Sequence, residues 1–149
     1  MRYWRAMKSN VVFSRQSDEW ETPDDLYAEL DQEFHFTHDV CASHVNRKHM
    51  PYYTIEDNAL EQAWSGVCWM NPPYSQVGEF VRRAYHAMRA EGAIVVCLVP
   101  SRTDTKWWHR YVEGKAEIRF IKGRLKFKGG KSSAPFPSAV VIFRHAPLP

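Results

Sequence analysis

The fold of this chain is decided by residues 67–100, which read VCWMNPPYSQVGEFVRRAYHAMRAEGAIVVCLVP. The stretch opens with a compact apolar run, residues 67–70, that stops abruptly. It closes with a continuous apolar run, residues 93–99, of the kind found in strands buried on both faces of a parallel sheet. Between the two runs, Ser75 can cap a helix that Gly92 ends. Apolar residues recur at helical spacing, at Val77, Phe80, Val81, Ala84 and Met88. Strand, helix and strand in this order predict a βαβ unit.

A second helix is expected near the start of the chain. Thr22 can cap it, Pro23 suits the first helical position, and Asp24 and Asp25 complement the positive end of the helix dipole. An apolar stripe then follows at Leu26, Leu30 and Phe34. The pattern predicts an amphipathic helix that packs one face on a core.

The segments on either side of the βαβ unit carry weaker patterns. Residues 36–42 are expected to form a short strand. Residues 43–66 are expected to be mostly irregular, with a brief strand near Tyr52-Tyr53. After the unit, residues 104–112 predict a helix that carries two tryptophans and a tyrosine.

The C-terminal third has the alternation of β-strands. Residues 117–121 and 124–128 alternate at period two around Lys122-Gly123, which predicts a hairpin. Residues 138–144 predict a last strand. Strands that alternate with helices and close in a run of strands favour a three-layer α/β sandwich, with a mixed sheet and a C-terminal antiparallel hairpin.

Length and composition limit the class of protein. A chain of 149 residues favours one domain over residues 1–149, with residues 1–15 as a loose N-terminal arm. The longest apolar run, residues 93–99, is far shorter than the roughly 18 residues that a membrane span needs, and no signal peptide opens the chain. An odd number of cysteines beside apolar runs indicates reduced, buried thiols in a cytoplasmic protein. They are Cys41, Cys68 and Cys97.

Positive charge is concentrated in one part of the chain. The net charge is +3, but residues 101–131 hold ten Lys and Arg against three acids, a net +7, so the rest of the chain carries −4. An asymmetry of this kind is typical of a polyanion-binding face on an otherwise ordinary domain.

The residues with the clearest chemistry are Asn71, Pro72, Pro73 and Tyr74, which follow a predicted buried strand. In open α/β sheets, ligands bind at this end of the strands. The prolines stiffen the backbone and remove two N–H donors, so that the Asn71 amide oxygen and the Pro72 carbonyl can accept both hydrogens of one amino group. Such acceptors stabilise the positive charge that develops on a poorly nucleophilic amino nitrogen under attack. Tyr74 offers a ring on which a planar base can stack.

The chain resembles the phage-type, Dam-like DNA N6-adenine methyltransferases. The resemblance covers about 125 residues in the family's order, through residues 20–23, 39–42, 71–75, 100–103, 122–127 and 134–138. It implies a Rossmann-like class I methyltransferase fold that transfers a methyl group from S-adenosylmethionine to the N6 amino group of adenine in double-stranded DNA. The implied catalytic residues are Asn71 to Tyr74.

The same resemblance implies a set of cofactor contacts. Thr22 and Pro23 match the segment against the methionine part of the cofactor, beside which Trp20 adds a flat wall. Asp39 matches an acid that holds the methionyl ammonium group, in a motif that runs to Ala42. Asp57 matches an acid that binds the adenosine part or orders the pocket, and Asn71 borders the cofactor as well. No glycine occurs between residues 1 and 65, so the Gly-rich turn of most methyltransferases is missing, as it is in this group.

DNA contacts are expected in the positively charged segment, because the target base must be flipped out of the duplex. Arg124, Lys126 and Lys128 fall on one face of their predicted strand and form a candidate phosphate track. The alternative is a solvated face whose lysines protect a sheet edge. The full set of expected DNA-binding residues is Arg102, Lys122, Arg124, Lys126, Lys128 and Lys131.

Two other functions remain open from the residues alone. The same tetrapeptide serves methyltransferases that act on cytosine N4, on RNA adenine or on a protein glutamine. A protein with this fold can also be a non-catalytic DNA-binding or anti-restriction module. A metal site is not expected, since Cys41, His44 and His49 lack a fourth ligand. The sequence leaves open whether the protein is a monomer or a homodimer.

Overall fold

A computed structural model describes residues 20–41, 58–129 and 132–145 of the protein. These residues form two longer helices and five strands. In chain order they are α1 (Asp24–Phe34), β1 (His38–Asp39), β2 (Val67–Met70), α2 (Val77–Glu91), β3 (Ile94–Pro100), β4 (Glu117–Phe120) and β5 (Ser138–Phe143). Short 3₁₀ turns lie at Ala59–Glu61 and Tyr74–Gln76, and a π-helical turn lies at Trp108–Val112.

The five strands form one mixed sheet in the order β1-β2-β3-β5-β4. The first three strands are parallel, with Asp39 beside Trp69 and Met70 beside Cys97. β5 runs antiparallel to β3, and β4 runs antiparallel to β5. The predicted βαβ unit is therefore confirmed as β2-α2-β3, within a mixed α/β fold.

Apolar side chains cover both faces of this sheet. Along β3 and β5, successive residues alternate between two core clusters, as the period-two geometry of a strand requires. One cluster includes the inner face of α2, whose predicted stripe is buried throughout. The other cluster includes Leu30 and Phe34 of α1 together with Phe127. Burial on both faces explains why β3 and β5 are apolar at nearly every position.

The expected helix caps are wrong in detail. The residue before α1 is Pro23, which makes no side-chain cap bond, and the Thr22 hydroxyl accepts a hydrogen bond from Asn71 instead. The 3₁₀ turn shifts the start of α2, so that Gln76 and not Ser75 precedes it. Gly92 ends α2 as expected, with a φ of 72° that glycine adopts without strain.

The predicted hairpin of residues 117–121 with 124–128 is also wrong. β4 takes β5 as its partner, from Glu117 beside Ile142 to Phe120 beside Ala139. Residues 124–127 are not a strand, and their backbone bonds go elsewhere: Ala134 N–H donates to Leu125 O and Lys128 N–H donates to Glu21 O. The backbone hydrogen bonds of β4 are therefore made with β5, which is distant in sequence, and not with the adjacent residues 124–128.

Two further elements differ in extent from the prediction. The strand expected over residues 36–42 is reduced to the two residues of β1. The helix expected from residue 104 begins near residue 106 and winds as a π-helical turn. The last strand, β5, is confirmed. The brief strand near Tyr52-Tyr53 lies outside the described residues, as does the expected N-terminal arm.

No helix among the described residues is long and apolar enough to cross a membrane. Cys68 and Cys97 are buried free thiols, and Cys41 is a partly exposed one. Burial raises the pKa of the Cys68 thiol to about 12, and it raises the pKa values of Cys41 and Cys97 well above their ordinary range. All three thiols are therefore protonated at neutral pH.

Candidate active site

The candidate site lies at the carboxyl ends of the parallel strands. Asp39 ends β1, Asn71 follows the last residue of β2, and Arg102 lies two residues beyond the end of β3. Because these strands are adjacent and parallel, their ends meet at one edge of the sheet. The predicted catalytic tetrapeptide is thus placed where α/β folds bind their ligands.

The Asn71 carboxamide is held by the segment that precedes α1. Its Nδ2 donates one hydrogen bond to the Trp20 carbonyl oxygen and another, of 2.9 Å, to Thr22 Oγ1. A carbonyl oxygen can only accept, so the atom that faces it must be the nitrogen of the amide. The orientation of the side chain is therefore fixed by chemistry.

The Asn71 amide oxygen is left available by this arrangement. Oδ1 is buried and has no hydrogen-bond partner among the described residues. A buried acceptor without a partner is costly, by about 1–3 kcal/mol, and such exceptions in folded proteins call for an explanation. An N–H donor supplied by a ligand would satisfy this oxygen.

Tyr74 belongs to a cluster of four aromatic rings. The aromatic cluster consists of Trp20, Tyr74, Phe127 and Phe136, with ring centroids 5.3–6.5 Å apart in the contacting pairs. Tyr74 itself is only 7% exposed, so its ring faces are covered by its neighbours. Burial raises the pKa of its hydroxyl well above the ordinary tyrosine value, although the positive charge of Arg102 opposes the shift. Tyr74 is therefore a neutral ring at physiological pH.

Sequence reasoning missed Phe127 and Phe136 as parts of the site. Phe127 is 3% exposed, and the alternation of residues 124–128 did place it opposite the cations. That alternation carried no information on what Phe127 would touch. Its contacts with Trp20 and Tyr74 join segments about 50 to 100 residues apart in the chain.

Asp39 is a buried acid at the same edge of the sheet. It is 2% exposed, and one of its carboxylate oxygens accepts the Cys41 N–H at 3.2 Å. Its negative charge adds to the effect of burial and further raises the pKa values of Cys41 and Tyr27. Of the other expected cofactor contacts, Thr22 is buried and Pro23 half-buried, whereas Ala42 and Asp57 lie outside the described residues.

The expected DNA-binding cations fall into two groups. Arg102, Lys122, Arg124 and Lys126 are exposed, and within the described part of the chain none has an acid within ion-pair distance. Lys128 differs, because its ammonium group lies 3.2 Å from Asp24 and 3.7 Å from Glu21. Lys131 lies outside the described residues.

Some of the positive charge in this segment is neutralised within the protein. Arg119 makes two hydrogen bonds to Glu33, of 2.7 and 2.8 Å, and a third to Glu117. Arg144 also pairs with Glu117 at 2.7 Å, and both guanidinium groups lie over the Phe34 ring. This network joins α1 to β4 and β5, so Arg119 has a structural role.

No cluster of three or more metal-ligating side chains occurs in the ranges that the structure describes. Of the partial zinc-like spacing, His44 and His49 lie outside those ranges.

The chain matches the sequence model of one known family over most of its length. The sequence model of the family described as "DNA N-6-adenine-methyltransferase (Dam)" matches residues 8–146. The chain belongs to the Dam family. The resemblance inferred from the motifs is confirmed, and the match spans all of the described residues of the candidate site.

Individual relatives come from two phages and from a bacterium. The chain is 38% identical over 124 residues to "DNA N-6-adenine-methyltransferase" of Haemophilus phage HP1, across 80% of this chain and 71% of that protein. It is 32% identical over 111 residues to the protein of the same name from Escherichia phage T1, across 72% of this chain and 46% of the phage protein. A "Putative methyltransferase YfdM" of Escherichia coli is 38% identical over 65 residues, across 38% of this chain and 71% of that protein.

Proposed function

We propose that the protein transfers a methyl group from S-adenosylmethionine to the N6 amino group of adenine in double-stranded DNA. The observation that carries the proposal is the buried Asn71 Oδ1, which is fixed in place without a partner among the described residues. The names of the relatives that align along most of this chain support DNA adenine as the acceptor.

The chemical task of the site is to make an adenine amino nitrogen nucleophilic. Its lone pair is delocalised into the purine ring. When Asn71 Oδ1 and the Pro72 carbonyl accept its two hydrogens, the nitrogen moves towards sp³ geometry and its developing positive charge is stabilised. Neither acceptor is a strong base, so the surplus proton passes to water after transfer.

The residues at the sheet edge suit a cationic methyl donor. The buried Asp39 carboxylate would bind the methionyl ammonium group, and Trp20 and Pro23 would form an adjacent wall. When bound, S-adenosylmethionine supplies a methyl group on a sulfonium, whose carbon–sulfur bond breaks as N6 forms its bond to carbon. The roles of Ala42 and Asp57 in this binding remain predictions from the family pattern. The protein contributes alignment of the acceptor nitrogen with that methyl group, which accounts for much of the rate in such transfers.

The acceptor adenine reaches the site by flipping out of the duplex. In its bound position the base stacks on Tyr74, which requires Phe127 or Phe136 to move aside, because the Tyr74 ring is covered. The exposed cations that have no acid partner in the described part of the chain then hold the flanking phosphates. We assign this role first to Arg102, Lys122, Arg124 and Lys126, and we retain Lys128 and Lys131 as further candidates.

Lys126→Ala is expected to weaken DNA binding more than Lys128→Ala does. Lys126 has no acid partner among the described residues, whereas Lys128 must first leave Asp24 and Glu21. Log affinity falls as log salt concentration rises, and loss of one phosphate contact reduces the magnitude of that negative slope by about 1. Fluorescence anisotropy with a labelled duplex at several salt concentrations measures this slope. A larger decrease in affinity and in the magnitude of the slope for Lys128→Ala than for Lys126→Ala would contradict the assignment.

The proposal extends to the whole chain. Apolar packing on both sheet faces supports a Rossmann-like three-layer sandwich in one domain over residues 1–149. In this proposal the protein acts as a monomer or a homodimer in the cytoplasm of a bacterial or phage-infected cell.

The test is direct detection of the product. The purified protein is incubated with unmethylated phage DNA and S-adenosylmethionine carrying a deuterated methyl group, and the digested nucleosides are quantified by mass spectrometry. We expect labelled N6-methyladenine. An Asn71→Ala variant purified in parallel controls for host methyltransferases. Labelled N4-methylcytosine would show that cytosine in DNA is the methyl acceptor in place of adenine. Label that appears only with RNA or protein would likewise identify that molecule as the acceptor. No transfer to any acceptor would favour a non-catalytic binding module.

A further inference from the structure

The Thr22 hydroxyl occupies an unusual position for a threonine at the start of a helix. It lies two residues before α1 but does not cap that helix. The residue is 2% exposed, and its Oγ1 accepts a hydrogen bond of 2.9 Å from Asn71 Nδ2. The side chain is therefore directed towards the candidate catalytic amide.

The Asn71 carboxamide needs an external constraint to aim its oxygen. The last torsion of an asparagine side chain is broad, so the covalent geometry does not fix the plane of the amide. Here both Nδ2 hydrogens are taken, one by the Trp20 carbonyl and one by Thr22 Oγ1. With both hydrogens occupied, only one direction remains for Oδ1.

The two acceptors belong to a segment that is itself held in place. The Trp20 ring contacts Phe127 and Phe136, each at 5.3 Å between centroids. The backbone carbonyl of Glu21 accepts the Lys128 N–H at 2.9 Å. Movement of residues 20–22, and so of the acceptors, is restricted from both sides.

We propose that Thr22 is a positioning residue for methyl transfer, which aims the Asn71 amide oxygen by accepting one hydrogen of its Nδ2. This inference rests on the proposed function and assigns Thr22 a role other than a cofactor contact. A positioning residue acts on the rate of transfer. A cofactor contact acts mainly on the concentration of S-adenosylmethionine that the enzyme needs.

The test compares Thr22→Val, which keeps the shape but lacks the acceptor, with Thr22→Ser, which keeps the hydroxyl. Thr37→Val is the control, because the Thr37 hydroxyl bonds to the Val67 backbone and to His38 Nδ1, at the opposite end of β2 from Asn71. We expect Thr22→Val to lower kcat about 10- to 100-fold, with KM for S-adenosylmethionine and for DNA within about threefold of the original. Thr22→Ser and Thr37→Val should keep kcat within about threefold.

A second readout does not depend on activity. In a ¹H–¹⁵N spectrum, the Asn71 side-chain NH₂ signals are identified by their loss in Asn71→Asp. We expect these hydrogens to exchange with water about 3- to 10-fold faster in Thr22→Val than in the original protein or Thr22→Ser.

The possible outcomes separate the two proposals. Unchanged kcat in Thr22→Val, a change confined to KM for S-adenosylmethionine, or an equal loss in Thr37→Val would overturn the positioning role while adenine methylation stands. If the original protein makes no N6-methyladenine, the proposed function fails, and the exchange of the Asn71 NH₂ group alone decides whether Thr22 orients that amide. Melting temperatures of all variants show whether each one is folded.

Discussion

Asn71→Ala and Asn71→Asp are both expected to reduce N6-methyladenine formation at pH 8 by about 100- to 1,000-fold. Alanine removes the acceptor oxygen altogether. Aspartate keeps the size and one outward oxygen, but its second oxygen replaces Nδ2 and faces the Trp20 carbonyl. Two acceptors in contact repel each other, so the carboxylate turns away from the position of the amide. The measurement is initial rate with saturating S-adenosylmethionine and DNA.

The two variants are expected to differ in their dependence on pH. A buried carboxyl group beside a carbonyl oxygen keeps its proton to a higher pH than an exposed one. When protonated, the aspartic acid can donate to the Trp20 carbonyl and restore the original geometry. The activity of Asn71→Asp relative to the original protein should therefore rise as pH falls from 8.5 to 6. That of Asn71→Ala should stay flat. Parallel pH profiles for both variants would show that the contact with Trp20 does not orient residue 71.

Phe127→Ala is expected to lower the free energy of unfolding by about 3–5 kcal/mol. Its ring is almost fully buried in the aromatic cluster and touches Trp20, Tyr74 and Phe136. Removing it leaves a cavity beside the segment that holds the Asn71 amide. We therefore expect kcat to fall as well, under conditions in which the variant is still folded.

Phe120→Ala provides the matched control for this prediction. Phe120 lies on β4 at the edge of the sheet and is 66% exposed. Its ring stacks on Trp108 at 6.4 Å between centroids, so we expect a loss of stability of about 1 kcal/mol or less, well below that for Phe127→Ala. Denaturant titrations of both variants give the comparison. Equal losses of stability would mean that the aromatic cluster does not carry the packing assigned to it.

The strongest local patterns predicted the fold well. The run of residues 93–99 and the stripe of α2 each depend on one period and on burial, and both are confirmed. The hairpin failed because alternation reports which face of a segment is buried and not which strand it pairs with. In residues 124–128 the faces are correct, since Phe127 is buried and Lys126 exposed, although no strand is present.

The sequence predicted which residues form the candidate site, but it did not predict the contacts that hold them in place. Asn71 could be found from the sequence because a strand end followed by prolines is a local pattern. The bond from Asn71 to Thr22 joins residues 49 positions apart, and Thr22 reads locally as a helix cap. Similarly, the charge of Lys128 predicts a phosphate contact, while its pairing with Asp24 depends on a fold that brings them together across 104 positions.

Before the protein meets DNA, Phe127 and Phe136 shield the Tyr74 ring from water. In the proposed mechanism, an entering base replaces one aromatic neighbour of Tyr74. For a free nucleoside or another planar metabolite, only the free energy of stacking would offset the cost of separating these rings. A duplex would bring additional binding energy if its phosphates are held by the cations proposed above. We therefore expect the closed cluster to exclude small planar molecules of the cell and to admit a base that is attached to a polymer.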